Sequence, residues 1–263
     1  MKEKQRTLLI KLLLGIVALA VFFFIWDLVA ARDPRGLLPR PVSIFSTLIR
    51  VVITNERDPT GHVFSEHVVA SLFRVSYGFF LAAVVAIPVG LLWGYSLYAE
   101  GISRPLVELF RPIPPFAWIP FAIIFFRDPF DAVFIVYLAS FFPIVLSTVA
   151  GVKAVDSVLI DAARTLGANK RQLFGKVIVP ASLPHIMTGL RIGLGIGWMA
   201  IVAAELVGVR EGGLGFYIHV MSDDFGLYEN VFAGMFLVGI IGFLMITAIS
   251  YVERRLSRWA GIL

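Results

Sequence analysis

Apolar residues in this chain fall in long runs, and six of them reach the roughly 20 residues that a helix needs to cross a bilayer. The first is Leu8 to Ala31, charged only at Lys11 and Asp27, behind a basic head of Lys2, Lys4 and Arg6. A signal peptide shares such a head but has a shorter apolar stretch, so a retained helix is expected. The other runs extend from near Val68 to about Leu97, Leu106 to Phe126, Phe130 to Ala150, Pro184 to about Val209, and Asn230 to Val252. The second run carries Arg74 and Pro88; the third holds Pro112, Pro114, Pro115 and Pro120. The pattern predicts an all-α polytopic membrane protein with about six transmembrane helices. It divides into an N-terminal helix (1–31), an external segment (32–66) and a five-helix core (67–263) that contains a polar segment, 151–183.

The external segment is punctuated by Pro34, Pro39, Pro41 and Pro59. Within it, Val42 to Ile53 places Ile44, Phe45, Leu48, Ile49 and Val52 at helical spacing, which predicts an amphipathic helix on the membrane surface.

Composition narrows the class. Mean hydropathy is +0.88, and 59% of the 263 residues are hydrophobic against 16% charged. Soluble domains have about 45–50% and 25%, so a soluble enzyme and a disordered chain are both excluded. There is no cysteine, hence no disulfide framework, thiolate metal site or thiol nucleophile. His62, His67, His185 and His219 are scattered, without metal spacing, and are expected on the surface; no metal site is expected.

The net charge of +5 reports orientation in a membrane protein rather than nucleic-acid binding. The head to Lys11 has four Lys/Arg, the segment 151–183 five, and the tail Arg254, Arg255 and Arg258. With six spans these fall on one side, and the positive-inside rule makes that side cytoplasmic. Both termini are then cytoplasmic and Arg210–Glu229 external. The arginines at 32, 35, 40, 50 and 57 run against the rule.

The segment 151–183 has internal order. Asp156 can cap a helix reaching Leu166, with Val155, Leu159, Ala162, Ala163 and Leu166 on its apolar side. Gly167 stands where a left-handed C-terminal residue belongs. Asn169 can cap a second helix, which Pro180 is expected to end. On pattern alone this is a solvated helical hairpin. Its residues Asp161-Ala162-Ala163, Gly167 and Val177-Ile178-Val179-Pro180, however, resemble the EAA motif of inner-membrane permeases of ABC importers: Glu-Ala-Ala, three residues, Gly, nine residues, Ile-x-Leu-Pro. Asp161, Val177 and Val179 are the departures. Arg111-Pro112-Ile113-Pro114-Pro115-Phe116-Ala117-Trp118-Ile119-Pro120, Ala162 to Ala168, Thr188 to Arg191, and Trp198 with Ala203-Ala204-Glu205 resemble the nitrate, sulfonate, taurine and bicarbonate branch.

The resemblance implies a division of labour. A second permease subunit, most simply an identical copy forming a homodimer, completes the path through the lipid bilayer. Cytoplasmic ABC ATPase subunits grip the hairpin at Asp161, Ala162, Ala163, Gly167, Val177 and Pro180. An external solute-binding protein delivers a small polar solute. No cofactor is expected on this chain. ATP and magnesium belong to the ATPase, in keeping with Gly175-Lys176, which lacks the rest of a phosphate-binding loop. The chain is thus expected to be a transport subunit of the cell's inner membrane, not an enzyme, with no nucleic-acid partner.

Within the membrane, Pro112, Pro114 and Pro115 predict a broken helix, and with Trp118 a place on the translocation path. Tyr137 and Ser140 form part of a hydroxyl stripe on the fourth span; such groups line a path or bond carbonyls of their own helix. In the fifth span Arg191, Trp198 and Glu205 lie within about 40° of one another, and Gly189, Gly193 and Gly197 lie opposite, a face for close helix packing. Arg191 and Glu205 are about 21 Å apart along the axis and cannot pair. Snorkelling serves for both; for Glu205 an outer gate or a structural hydrogen bond serves as well. The rival classes are an intramembrane enzyme, which needs clustered catalytic residues at membrane depth, and a secondary transporter, which needs coupling carboxylates near the midplane.

Overall fold

A computed structural model describes residues 2–207, 212–224 and 226–259. Among them no strand occurs, only an isolated bridge between Arg57 and Val63. Eleven α-helices follow in order: α1 Lys2–Ala31, α2 Pro41–Thr54, α3 Phe64–Tyr95, α4 Leu97–Phe110, α5 Ile119–Phe125, α6 Phe130–Lys153, α7 Ser157–Thr165, α8 Lys170–Leu173, α9 Val179–Leu206, α10 Leu214–His219 and α11 Tyr228–Trp259. Five helices are long and apolar enough to span a membrane, and six if the bent pair of Leu97–Phe110 and Pro115–Phe125 is one span. Two compact units are distinguished by their internal contacts: Met1–Ser65 with Ile218–Leu237, and Glu66–Tyr217 with Val238–Leu263.

In the first unit, α2 buries Ile44, Thr47, Leu48 and Val51. Phe45, Ile49 and Val52 of the predicted stripe remain exposed, so that α2 is apolar on two sides. Trp26 of α1 donates its indole N–H to the Pro39 carbonyl at 3.1 Å and stacks on Phe236. Asp27 is not a lone intramembrane acid: Arg40 reaches it at 2.6 Å.

The second unit is built on α6 and α9, which contact each other along much of their length. Their approach is set by glycine. A Cβ on Gly189 would stand 2.7 Å from Ser147 Cβ, one on Gly193 3.0 Å from the Ser140 carbonyl, and one on Gly197 2.6 Å from Ser140 Oγ. Ser140 Oγ donates to the Gly193 carbonyl at 3.0 Å. On the other flank of α6, Gly78, Gly90 and Gly94 of α3 meet Val136, Thr148 and Val152 with equal closeness.

Four expectations are corrected. The third apolar segment begins at Leu97, not Leu106, because Ser96 caps α4 and its charges pair along the helix surface, Arg104 to Glu108 at 2.7 Å. Pro180 does not end the second hairpin helix. A π-helical turn, Phe174–Ile178, joins α8 to α9, and the wider turn accommodates both the proline ring and the missing N–H. The apolar side of α7 is divided: Val155 and Ala163 pack on the cluster of Val152, Leu173 and Ile178, while Leu159, Ala162 and Leu166 are exposed. Finally, His67 is fully buried, because a polar network receives it.

Candidate functional site

Three parts of the second unit carry the residues of interest: a hairpin, a broken span and a buried charge network.

The hairpin forms from local rules. Asp156 accepts the Val158 N–H at 2.8 Å and starts α7. Gly167 takes φ +82°, and the Ala168 N–H closes back on the Ala163 carbonyl at 3.0 Å. A residue with a Cβ is strained in that region, which explains glycine there. Asn169 and Gln172 form a reciprocal capping box on α8. The tip then presents Val158, Leu159 and Leu166, exposed at 69%, 53% and 88%. Asp161 is exposed and pairs with Arg164 at 3.4 Å. Val177 faces the cluster beneath, and Pro180 is exposed.

The broken span bends by 87°. Pro112 and Pro114 occupy the non-helical stretch after α4, and Pro115 opens a 3₁₀ turn, Pro115–Trp118, that leads into α5. Proline supplies no donor, so the break leaves no amide unsatisfied at these positions. A cavity of about 400 Å³ lies beside it, lined by Arg111, Ile113 and Pro115 from the break, Leu138, Ala139, Phe142, Pro143, Leu146 and Ser147 from α6, and Ile192 and Ile196 from α9. Trp118 and Tyr137 are half-buried and do not line it; Ser140 is buried in the α6–α9 contact.

The network lies at the end of α9 away from the hairpin. The Glu205 carboxylate accepts from Ser71 Oγ at 2.7 Å, Arg74 Nη1 at 2.9 Å and the Gly215 N–H at 3.1 Å. Arg74 also donates to the Gly212 carbonyl at 2.7 Å and lies 3.6 Å from Asp128. The Leu214 N–H donates to Ser71 Oγ at 2.9 Å and the Gly213 N–H to His67 Nδ1 at 3.1 Å. A Cβ on Gly213 would strike the Glu205 carboxylate, and one on Gly215 the Val202 carbonyl; only glycine lets this loop close over the charge.

The sequence-predicted residues are thus distributed. Arg191 is not a neighbour of Glu205; it pairs with Glu253 at 2.9 Å. Trp198 is buried, donating to the Val238 carbonyl at 3.1 Å. Arg74 and Ser71 as partners of Glu205, and His67 as the acceptor of the Gly213 N–H, were not foreseen from the sequence. The available signal was charge balance: Arg74 is a cation in an apolar run, and such a charge needs a counter-charge. The expected external segment 210–229 lies partly outside the described residues.

Comparison with known proteins agrees with this architecture. Residues 86–259 match the family of the binding-protein-dependent transport system inner membrane component. The chain is 38% identical over 254 residues to the taurine transport system permease protein TauC of Escherichia coli (strain K12), covering 94% of this chain and 90% of that protein. It is 38% identical over 251 residues to a putative ABC transporter permease of Methanocaldococcus jannaschii, covering 95% and 92%. It is 32% identical over 240 residues to the nitrate import permease protein NrtB of Synechocystis sp., covering 90% and 86%. In fold it is similar to a chain of the inward-facing MetNI methionine ABC transporter, with a TM-score of 0.63 at 22% identity over 72% of this chain and 94% of that one. By the extent of the family match and of these relatives, the chain belongs to the inner membrane components of binding-protein-dependent ABC transport systems.

Proposed function

We propose that the chain is the translocating subunit of an ATP-driven importer for a small anion or sulfonate of the nitrate, bicarbonate or taurine kind. An external binding protein hands the solute over. The observation that carries the reading is the hairpin. Its tip holds three apolar side chains, Val158, Leu159 and Leu166, more than half exposed, on a scaffold fixed by two caps and a glycine turn. A rigid element that keeps an apolar tip uncovered is built to be covered by another protein. The occupant is the ATPase subunit, which holds ATP and magnesium; Asp161, Ala162 and Gly167 form the gripped surface. The relatives named for taurine and nitrate support the solute class.

Mechanically, the chain has no bond-making chemistry. Because the π turn carries α8 into α9 without a break, displacement of the hairpin moves α9 directly. α9 is tied to α6 through the glycine face and to α11 through Arg191–Glu253. Closure of the ATPases then rocks these helices, with a second permease subunit forming the opposite wall. The termini and hairpin are cytoplasmic in this arrangement. A secondary transporter is disfavoured, because Glu205 and Asp27 are both occupied by arginines.

The test is Leu159→Asp with Leu166→Asp. The variant is expected to insert and remain folded, because both positions are exposed, and to lose copurification with the ATPase. Retention of a stoichiometric, transport-coupled ATPase contradicts the assignment.

A further inference from the structure

Arg74, Arg104 and Arg191, all carried by the apolar helices of the second unit, have carboxylate partners: Glu205, Glu108 and Glu253, at 2.9, 2.7 and 2.9 Å. Arg111 differs. Among the described residues its guanidinium makes no hydrogen bond or ion pair. It directly follows α4 at the break of the bent span and lines the cavity of about 400 Å³ together with Ser147. The walls around them are apolar: Leu138, Phe142, Ile192 and Ile196. These residues come from near the midpoints of α6, Phe130–Lys153, and α9, Val179–Leu206. The cavity therefore reaches from the middle of α6 and α9 toward the hairpin end of α6, where Ser147 lies, and Arg111 is exposed in the single chain. An uncompensated cation within a membrane is costly and is retained only where it faces protein, water or a ligand.

We propose that Arg111 and Ser147 form an anion-selectivity site on the translocation path, receiving the head group of a compact oxyanion or sulfonate in passage. The inference rests on the proposed import of such solutes and adds where in the membrane their charge is read. The guanidinium fork matches two oxygens of a planar or tetrahedral anion. The Ser147 hydroxyl donates to a third. Apolar walls offer a cation nothing, so cations are rejected. This chain contributes one cationic side chain to the cavity lining, a modest charge that suits a passage site, where binding must permit entry without preventing release. The volume lies in the range of small-molecule sites.

The absence of native cysteine allows a direct test. Ser147→Cys is placed in the full chain, and the complex is reconstituted in proteoliposomes. Its reaction rate is measured with an anionic thiol reagent (sulfonatoethyl methanethiosulfonate) and a cationic one (trimethylammonioethyl methanethiosulfonate), each normalised to a free thiol. A unit positive charge across a cavity of this size should favour the anion roughly tenfold or more at an effective dielectric of about 20. Arg111→Gln should abolish the preference and Arg111→Lys should retain most of it. The lysine variant also serves should the glutamine variant fold poorly. Equal preference with and without the positive charge overturns the site. Uptake of nitrate, bicarbonate, taurine and methanesulfonate is measured on the same vesicles. If the wild type takes up none of them, the anion reading itself fails. If it takes one up and Arg111→Gln does so at the same rate, the selectivity site alone fails.

Discussion

Glu205→Ala should be among the most damaging single substitutions in the molecule. The carboxylate is 1% exposed and accepts three donors, from Ser71, Arg74 and Gly215. Removing it takes the buried carboxylate from Arg74, itself 4% exposed; the Gly212 carbonyl at 2.7 Å and the more exposed Asp128 at 3.6 Å do not replace it. A buried ion pair adds little net stability, because desolvation offsets the attraction, but breaking one from a single side costs about 3–5 kcal/mol. At about 2–4 °C per kcal/mol for a chain of this size, melting should fall by roughly 6–20 °C. Glu205→Gln keeps an acceptor for Ser71 and loses the charge, so its drop should be smaller. Arg74→Met combined with Glu205→Met removes both charges together. It should recover much of the loss, which gives a favourable coupling in a double-mutant cycle. The assay is thermal unfolding of the purified protein in detergent, with monodispersity checked by size exclusion. Melting of Glu205→Ala within about 2 °C of wild type, or additive losses in the cycle, would refute the reasoning.

Gly193→Leu should destabilise by about 1–3 kcal/mol, because its side chain must displace Ile144 and the Ser140 carbonyl, whereas Leu194→Ile should cost less than about 1.5; the same melting assay checks both. Gly167→Val places a β-branched residue at φ +82°; it should leave the spans inserted and abolish ATPase copurification, as read by pull-down and uptake. Single cysteines in place of Ser157, Ser222 and Ser257, labelled in intact cells with an impermeant maleimide, should react at 222 only. Labelling at 157 but not at 222 contradicts the orientation.

Elements governed by short-range rules were legible in the sequence. The α7–α8 hairpin follows from Asp156, Gly167 and Asn169, and α2 from its apolar spacing, because caps and amphipathicity act within a few residues. The break near Pro112–Pro115 was legible for the same reason. The Glu205 network was not, because its partners Ser71 and Arg74 lie more than 130 positions away and nothing local marks the pairing. His67 looked like a surface residue until the Gly213 amide arrived to receive it. Pro180 misled because the usual rule assumes an α-helical register, and the π turn before it changes that register. The glycines of α9 were readable as a packing face, but their partner helix was not. Those of α3, Gly78, Gly90 and Gly94, became visible only once α6 lay against them.

The central claim is that this chain moves its solute only when a separate ATPase drives it. The most direct measurement is uptake of labelled nitrate, bicarbonate, taurine and methanesulfonate into proteoliposomes containing this chain, with the ATPase, the binding protein and ATP added or withheld one at a time. The account predicts accumulation of at least one of these solutes with all components present, and none when the ATPase or ATP is left out. Accumulation by this chain in the absence of the ATPase would contradict it.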